Sequence, residues 1–228
     1  KVFREGQEKQ TLDDLVFVYC DTIKKLRPKV FILENVKGII QGNAKAYSRK
    51  IAETMTEAGY VVQVFCLDAS TMGVPQRRER VFFIGRRSDA MQGLQNLALE
   101  FNERGILFRD ISDDSDTAKN MADSYFREWS KMDGISGSFS QVHEKGSFFN
   151  EIKISAIEVC PTTTSQGKLY HYNFPRRLND GEFCQVGTFP TDYDFQGCKS
   201  FYVIGMSVPP VMTAQIAHQI YLQWFNQK

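Results

Sequence analysis

The sequence predicts an α/β layered domain carrying a smaller, irregular lobe. Three observations lead there. Helix-like and strand-like segments alternate over residues 11–87. The strand-like segments are short, apolar runs, as in a layered sheet. After Arg87 the alternation stops, a Gly/Ser-rich tract ("GISGSFSQ") intervenes, and helical order returns near residue 176.

The elements follow in order. Residues 11–27 ("TLDDLVFVYCDTIKKLR") read as a helix: Thr11 can cap it, acids sit in its first turn, basic residues crowd its last, and Pro28 stops it. "KVFILENV" (29–36) is nearly continuous in apolar residues, which predicts a strand buried on both faces in a parallel sheet. Residues 44–60 read as a helix ending at Gly59. "VVQVFCLDA" (61–69) and "RVFFIG" (80–85) read as strands. Residues 95–165 hold short pieces only, "MADSYFREWSKM" as helix and "FFNEIKIS" as β. The segment 209–225 opens on two prolines and places Ile216, Ile220 and Trp224 on one apolar face of a helix. The organisation expected is 1–90 as one layer-forming part, 91–170 as the irregular lobe, and 171–228 as a segment returning to the first part.

The composition narrows the classes. The chain has 228 residues, 42% of them hydrophobic and 24% charged, as in an ordinary globular protein. No apolar run reaches the ~20 residues of a membrane helix. Lys1 is not an initiator Met and no secretory signal is visible, so the N-terminus of the whole protein is expected elsewhere. Five dispersed cysteines without a CxxC pair suggest a reduced, intracellular protein without structural zinc. Three histidines without ligand spacing give no metal site. Net charge is +1, so charge alone announces no nucleic-acid partner. Its distribution is more telling. Arg77, Arg78, Arg80, Arg86 and Arg87 stand against Glu79 alone, and Lys168, Arg176 and Arg177 lie among Tyr170, Tyr172 and Phe174. Each patch reads equally as a phosphate-facing surface or as solvated loop charge.

Three stretches carry chemistry. In "ENV", Glu34 and Asn35 end a strand, where open α/β sheets bind ligands. A partly desolvated Glu34 would have a raised pKa and act as a general acid or hold a base edge; an ordinary hydrated strand end is the alternative. In "QRRER" (76–80), an extended backbone places Arg78 and Arg80 on one face, a fork suited to phosphate or a carbonyl, with Arg77 and Glu79 paired on the other. "GMSVPP" (205–210) precedes the last helix, where backbone N–H groups can meet a carboxylate.

In this order the stretches resemble the DNA cytosine-5 methyltransferase family. "PKVFILENVKGI" (28–39), "GVPQRRERVFFIG" (73–85), "RRLNDGEF" with "FPTDYDF" (176–195), and "IGMSVPP" with its following helix (204–217) are similar to that family's sixth, eighth, ninth and tenth blocks. The helix at 11–27 is similar to its fifth, and residues 91–170 fall where the family keeps its target-recognition region.

The resemblance implies an incomplete doubly wound S-adenosylmethionine-dependent methyltransferase sheet plus a small, irregular β-rich target-recognition lobe. It implies methyl transfer from S-adenosylmethionine, leaving S-adenosylhomocysteine, to carbon 5 of a cytosine flipped out of duplex DNA, with no metal. Glu34 would hold or protonate ring nitrogen 3, and Asn35 would position the active-site loop. Arg78 and Arg80 would steady the attacking thiolate, the base carbonyl and nearby phosphate. Leu15 and Ser207 match positions lining the methyl-donor site. Gln76, Arg77, Lys168, Arg176 and Arg177 are the expected DNA contacts. A cytoplasmic bacterial or phage-encoded protein of DNA methylation or restriction-modification is implied.

The sequence also departs from the family. The glycine-rich cofactor block and the Pro-Cys catalytic loop do not occur in these residues, and Cys160, in "CPTTT", is not assigned as nucleophile. Met206 replaces the usual Asn and Asn179 the usual Thr. A missing N-terminal part, on the same or a separate polypeptide, is therefore the expected partner beside duplex DNA, and this chain alone is expected to be inactive. Without it, strand 29–36 would be a sheet edge open to self-association. The alternative reading is a non-catalytic, sequence-specific DNA-binding relic.

Overall fold

The computed structural model describes residues 15–226. The expected cap at Thr11 and the acids after it lie outside the described residues. The chain divides into two compact units. The first holds the described residues up to Leu67, Glu79–Leu99 and those from Ile220 onward; the second holds Asp68–Arg78 and Glu100–Gln219.

The first unit is built from α1 (Leu15–Leu26), β1 (Val30–Val36), α2 (Lys45–Glu57), β2 (Tyr60–Asp68) and β3 (Glu79–Arg87). In α1, Cys20 and Ile23 turn inward three residues apart, while the basic last turn stays in solvent. Arg27 leaves the helix at φ 46°, its N–H still bonded to Ile23 O at 2.8 Å, and Pro28 then prevents continuation. The Tyr60 hydroxyl donates to Pro28 O at 2.8 Å and fixes this exit. The core joins Cys20 and Ile23 to Phe31 and Leu33 of β1, Ile51 and Met55 of α2, Tyr60 of β2, and Val81 and Phe83 of β3.

The three strands form one sheet in the order β1-β3-β2. Two expectations are corrected here. β1 runs antiparallel to β3, not parallel to its neighbour, with Glu34 opposite Phe82 and Val36 opposite Arg80. Its burial is also one-sided, since Phe31 and Leu33 are buried while Ile32 and Val36 are exposed. An antiparallel pair can keep one face open, and an apolar run states neither the direction of its partner nor the number of its covered faces. Among the described residues β1 has β3 as its one sheet neighbour and is an edge.

Gly85 faces Phe31 across this pair, and its missing side chain makes room for the ring. A Cβ there would lie 2.6 Å from Phe31 Cζ and 2.8 Å from Cδ1. Gly85→Ala is therefore expected to destabilise the chain by about 1–3 kcal/mol, the usual cost of overpacking. Urea unfolding checks this, and an unchanged midpoint would mean that the ring moves aside freely.

The second unit contains α3 (Asp123–Lys131), β4 (Gly137–Ser138), β5 (Ile152–Lys153), β6 (Leu169–Tyr170), α4 (Asp180–Gly187), α5 (Ser200–Met206) and α6 (Pro210–Ile220). Its strands are two residues each, ordered β4-β5-β6, with β4–β5 antiparallel and β5–β6 parallel. The stretch expected to be β-rich is thus mostly loop around two clusters. One gathers Phe108, Ile154, Cys160, Leu169, Phe183 and Ile204; the other gathers Met132, Phe139 and Tyr170 beneath Tyr125 and Trp129. The last helix begins at a proline as expected, and Ile216, Ile220 and Trp224 are buried. It is α-helical only to Ile220, after which Tyr221–Phe225 form a π turn. No described helix is long and apolar enough to cross a membrane.

Candidate functional site

In the first unit, Glu34 and Asn35 lie near the carboxyl end of β1, and Arg80 stands at the start of β3. Antiparallel register brings Arg80 opposite Val36, so its side chain reaches back to Glu34. Arg80 Nε lies 2.9 Å from Glu34 Oε1, with the two side chains 15% and 32% exposed. Arg80 Nη1 also donates to Glu79 O at 2.8 Å. Burial lowers the Arg80 pKa, and the Glu34 carboxylate opposes that loss. Opposite charges this close stabilise each other's charged form. The structure thus gives Glu34 a cationic partner that the reading of a lone strand-end carboxyl did not include. Asn35 Oδ1 accepts the Val36 N–H at 2.8 Å, a local bond at the strand end, and alternation along β1 turns Asn35 to the face opposite Glu34.

Sequence reading missed a second pair here. Lys37 Nζ lies 2.6 Å from Glu79 Oε1. Glu79 was expected to pair with Arg77, which instead sits 3.6 Å from Glu158. The available signal was Lys37 itself, three residues beyond Glu34 and just past the end of β1.

Arg78 and Gln76 belong to the second unit and are both 1% exposed. β3 begins at Glu79, so Arg78 precedes the strand. Its Nη1 donates to Thr163 O at 2.9 Å and to Gln76 Oε1 at 3.2 Å, and its Nη2 to Gly205 O at 3.0 Å. Gln76 Oε1 accepts the Thr163 N–H at 3.1 Å, while Nε2 donates to Val186 O at 3.1 Å. Asp68, also missed, accepts the N–H groups of Ser70 and Arg78. Its signal was the Asp-x-Ser spacing of an Asx turn. These bonds clamp the segment around Thr163 to the "QRR" stretch. Gly205 closes the clamp from α5, because a Cβ there would strike the Thr164 carbonyl and lie 2.5 Å from Ser165 N.

The second basic patch is largely internal. Arg176 is 0% exposed, and five acceptors take its five N–H donors: Asp116 O, Arg177 O, Asp113 O and both oxygens of Glu182. It has no donor left for phosphate. The Asn179 side chain accepts from Glu182 N and Glu182 returns the bond to Asn179 N, a capping box on α4. Asn thus serves the cap where Thr is usual. Lys168 Nζ lies 2.7 Å from Glu151 Oε1, and Arg177 sits over the Tyr170 ring at 5.7 Å. In the first patch, Arg86 bonds Met91 O, and Arg87 bonds Asp89 and Arg27 O. Cys160 is fully buried, and burial pushes its thiol pKa up, so it stays protonated.

His171 packs against the Arg176 network. Its Nδ1 accepts the N–H groups of Asn173 and Phe174 at 3.0 and 3.2 Å, so the proton resides on Nε2, which faces Asp114 and Glu182. Burial lowers its pKa from the ordinary 6.5; Glu182 and Asp114 oppose that and Arg176 reinforces it. The unfolded chain therefore binds a proton that the folded chain refuses. The stability due to neutral His171 is present above about pH 6.5 and is lost as pH falls through the lowered folded value. Melting temperature should fall between pH 7 and pH 5 in the wild type and fall less in His171→Phe. Equal slopes would remove His171 as the cause.

A sequence model of the C-5 cytosine-specific DNA methylases matches residues 4–222. The chain belongs to that family. Among family relatives, the orphan methyltransferase M.SPRI of Bacillus phage SPR is 36% identical over 104 residues, 46% of this chain and 23% of the relative. The type II methyltransferase M.NgoFVII of Neisseria gonorrhoeae is 27% identical over 219 residues, 85% of this chain and 59% of the relative. The chain thus spans from about a quarter to three fifths of these two methylases. Solved structures share the fold. A candidate DNA modification methyltransferase encoded within an E. coli prophage superposes with a TM-score of 0.71 at 18% identity, covering 95% of this chain and 75% of its own. A Spodoptera frugiperda DNMT2 variant gives 0.67 at 13% identity, covering 96% and 75%.

Methylases need a methyl donor, and the two residues matched to its site offer little purchase. Leu15 is 57% exposed on α1 and brings no polar group. Ser207 turns both donors inward, its hydroxyl to Val203 O at 2.7 Å and its N–H to Ile204 O at 3.1 Å. These residues do not by themselves fit the charged ends of S-adenosylmethionine. Among the described residues no group of three or more His, Cys, Asp or Glu is placed to hold a metal ion.

Proposed function

We propose that the chain is the base-holding and DNA-reading part of a DNA cytosine-5 methyltransferase. The observation that carries this is the Glu34–Arg80 pair at 2.9 Å, in a chain of the C-5 cytosine-specific methylase family. A carboxyl and a guanidinium side by side match one edge of cytosine: Glu34 toward ring nitrogen 3 and Arg80 toward the carbonyl oxygen. A flipped base would replace the internal ion pair with these two contacts, and Glu34 would hold the proton at nitrogen 3. Asn35 keeps the strand end in shape. Arg78 and Gln76 act as positioning residues that hold the Thr163 segment, and Arg176 holds α4. Arg77, 55% exposed at its side chain and 3.6 Å from an equally exposed Glu158, would exchange that surface pair for the DNA backbone. The methyl donor and the nucleophilic cysteine come from a polypeptide carrying the glycine-rich block and the Pro-Cys loop. A bacterial or phage cytoplasm is the expected setting.

The test has two readings. The chain should retain duplex DNA over tRNA in anisotropy titrations. With the complementary polypeptide and labelled S-adenosylmethionine, it should pass label to duplex DNA. DNA binding without transfer by the pair would favour the non-catalytic relic; no DNA binding would end both readings.

A further inference from the structure

The second unit contains a cleft of about 340 Å³ whose chemistry is unlike a phosphate site. Phe149, Asn150, Thr162, Thr164, Gln166 and Lys168 contribute to its lining. Lys168 supplies the positive charge and is neutralised by Glu151, 2.7 Å away and almost fully buried. The Thr162 hydroxyl is spent on Arg77 O at 2.6 Å. Beside Ser165 and the apolar Ile152 and Leu169, the lining keeps the two exposed amides of Asn150 and Gln166, the Thr164 side chain, and the Phe149 ring, which is 68% exposed. A neutral cleft gains little from an anion. Amides paired with apolar groups suit a neutral edge bearing one donor, one acceptor and a methyl.

We propose that this cleft reads an A·T base pair in the major groove, through Asn150 and Gln166 on adenine and Phe149 and Thr164 on the thymine methyl. The adenine edge offers an N7 acceptor and an N6 donor, which a carboxamide meets with two hydrogen bonds. Guanine offers two acceptors and calls for a guanidinium or a free ammonium, and Lys168 is already held by Glu151. The frame is rigid where it must be. Thr163 is clamped through both its N–H and its carbonyl by Gln76 and Arg78, and the Thr164 carbonyl packs closely against Gly205. The buried arginine thus helps to fix the side of the cleft that presents Gln166. This inference rests on the DNA-binding reading above and names the residues that would set its sequence preference.

The experiment is selection from a randomised duplex library by the full chain and by the Asn150→Ala/Gln166→Ala double variant. Both residues are exposed, so the variant should melt within about 2 °C of the wild type. The wild-type consensus should contain an A·T position. The double variant should lose about tenfold or more of its preference there, the cost of a lost bidentate contact, while binding random duplex within about twofold of wild type. An unchanged consensus in the variant, or a wild-type consensus of G·C pairs alone, would overturn the inference and leave DNA binding standing. If the wild-type chain retains no duplex at all, the DNA-binding reading falls and the inference with it.

Discussion

Arg80→Ala is expected to lower methyl transfer by about a hundredfold or more in the reconstituted enzyme while changing duplex affinity by less than about threefold. A guanidinium aimed at a developing charge on the base acts mainly in the transition state, and removing one such donor typically costs about 10²–10³ in rate. A phosphate contact would act on binding instead, with a salt dependence that shrinks when it is removed. Arg80 is mostly buried and held by Glu34 and Glu79 O, which makes it a poor backbone contact. Rate constants at saturating DNA, with dissociation constants measured at two salt concentrations, separate the two. Equal losses in rate and affinity would reduce Arg80 to a backbone contact.

Glu182→Leu should be the most damaging single change to the fold. It strands Arg176, fully buried, with two of its five hydrogen bonds gone, and opens the capping box of α4. Removing one partner of a buried ion pair costs about 3–5 kcal/mol. The double variant Arg176→Met/Glu182→Leu should be less unstable than Glu182→Leu alone, because no unpaired charge remains inside. Urea unfolding of the three proteins checks this. A double variant less stable than either single one would show that the network's hydrogen bonds, not its charge balance, hold this region.

The parts legible in the sequence are those where local pattern and burial agree. α1, α2 and the three longer strands were marked by apolar spacing and by Pro28, and they appear within one or two residues of the expected bounds, apart from the undescribed start of α1 and the end of α2, which stops three residues early at Glu57. The direction of β1 was not legible, because its partner lies 44 to 56 positions away and nothing in "VFILENV" says which way β3 passes. The two-residue strands were equally hidden, being too short for any periodicity. Charge misled most. Arg78 and Arg176 look like surface charge, yet each is buried among partners that only the fold brings together: Gly205 lies 127 positions from Arg78, and Asp113 lies 63 from Arg176. Glu34 and Arg80 were singled out, but their direct pairing depends on the antiparallel register.

The identity of the methylated nucleoside tests the central claim most directly. Duplex DNA incubated with this chain, the complementary polypeptide and labelled S-adenosylmethionine is digested and its nucleosides are separated by mass. The Glu34–Arg80 assignment predicts label in 5-methyldeoxycytidine, reduced about a hundredfold or more by Glu34→Gln with DNA binding retained. Label on an exocyclic nitrogen, or undiminished 5-methyldeoxycytidine with Glu34→Gln, would contradict it.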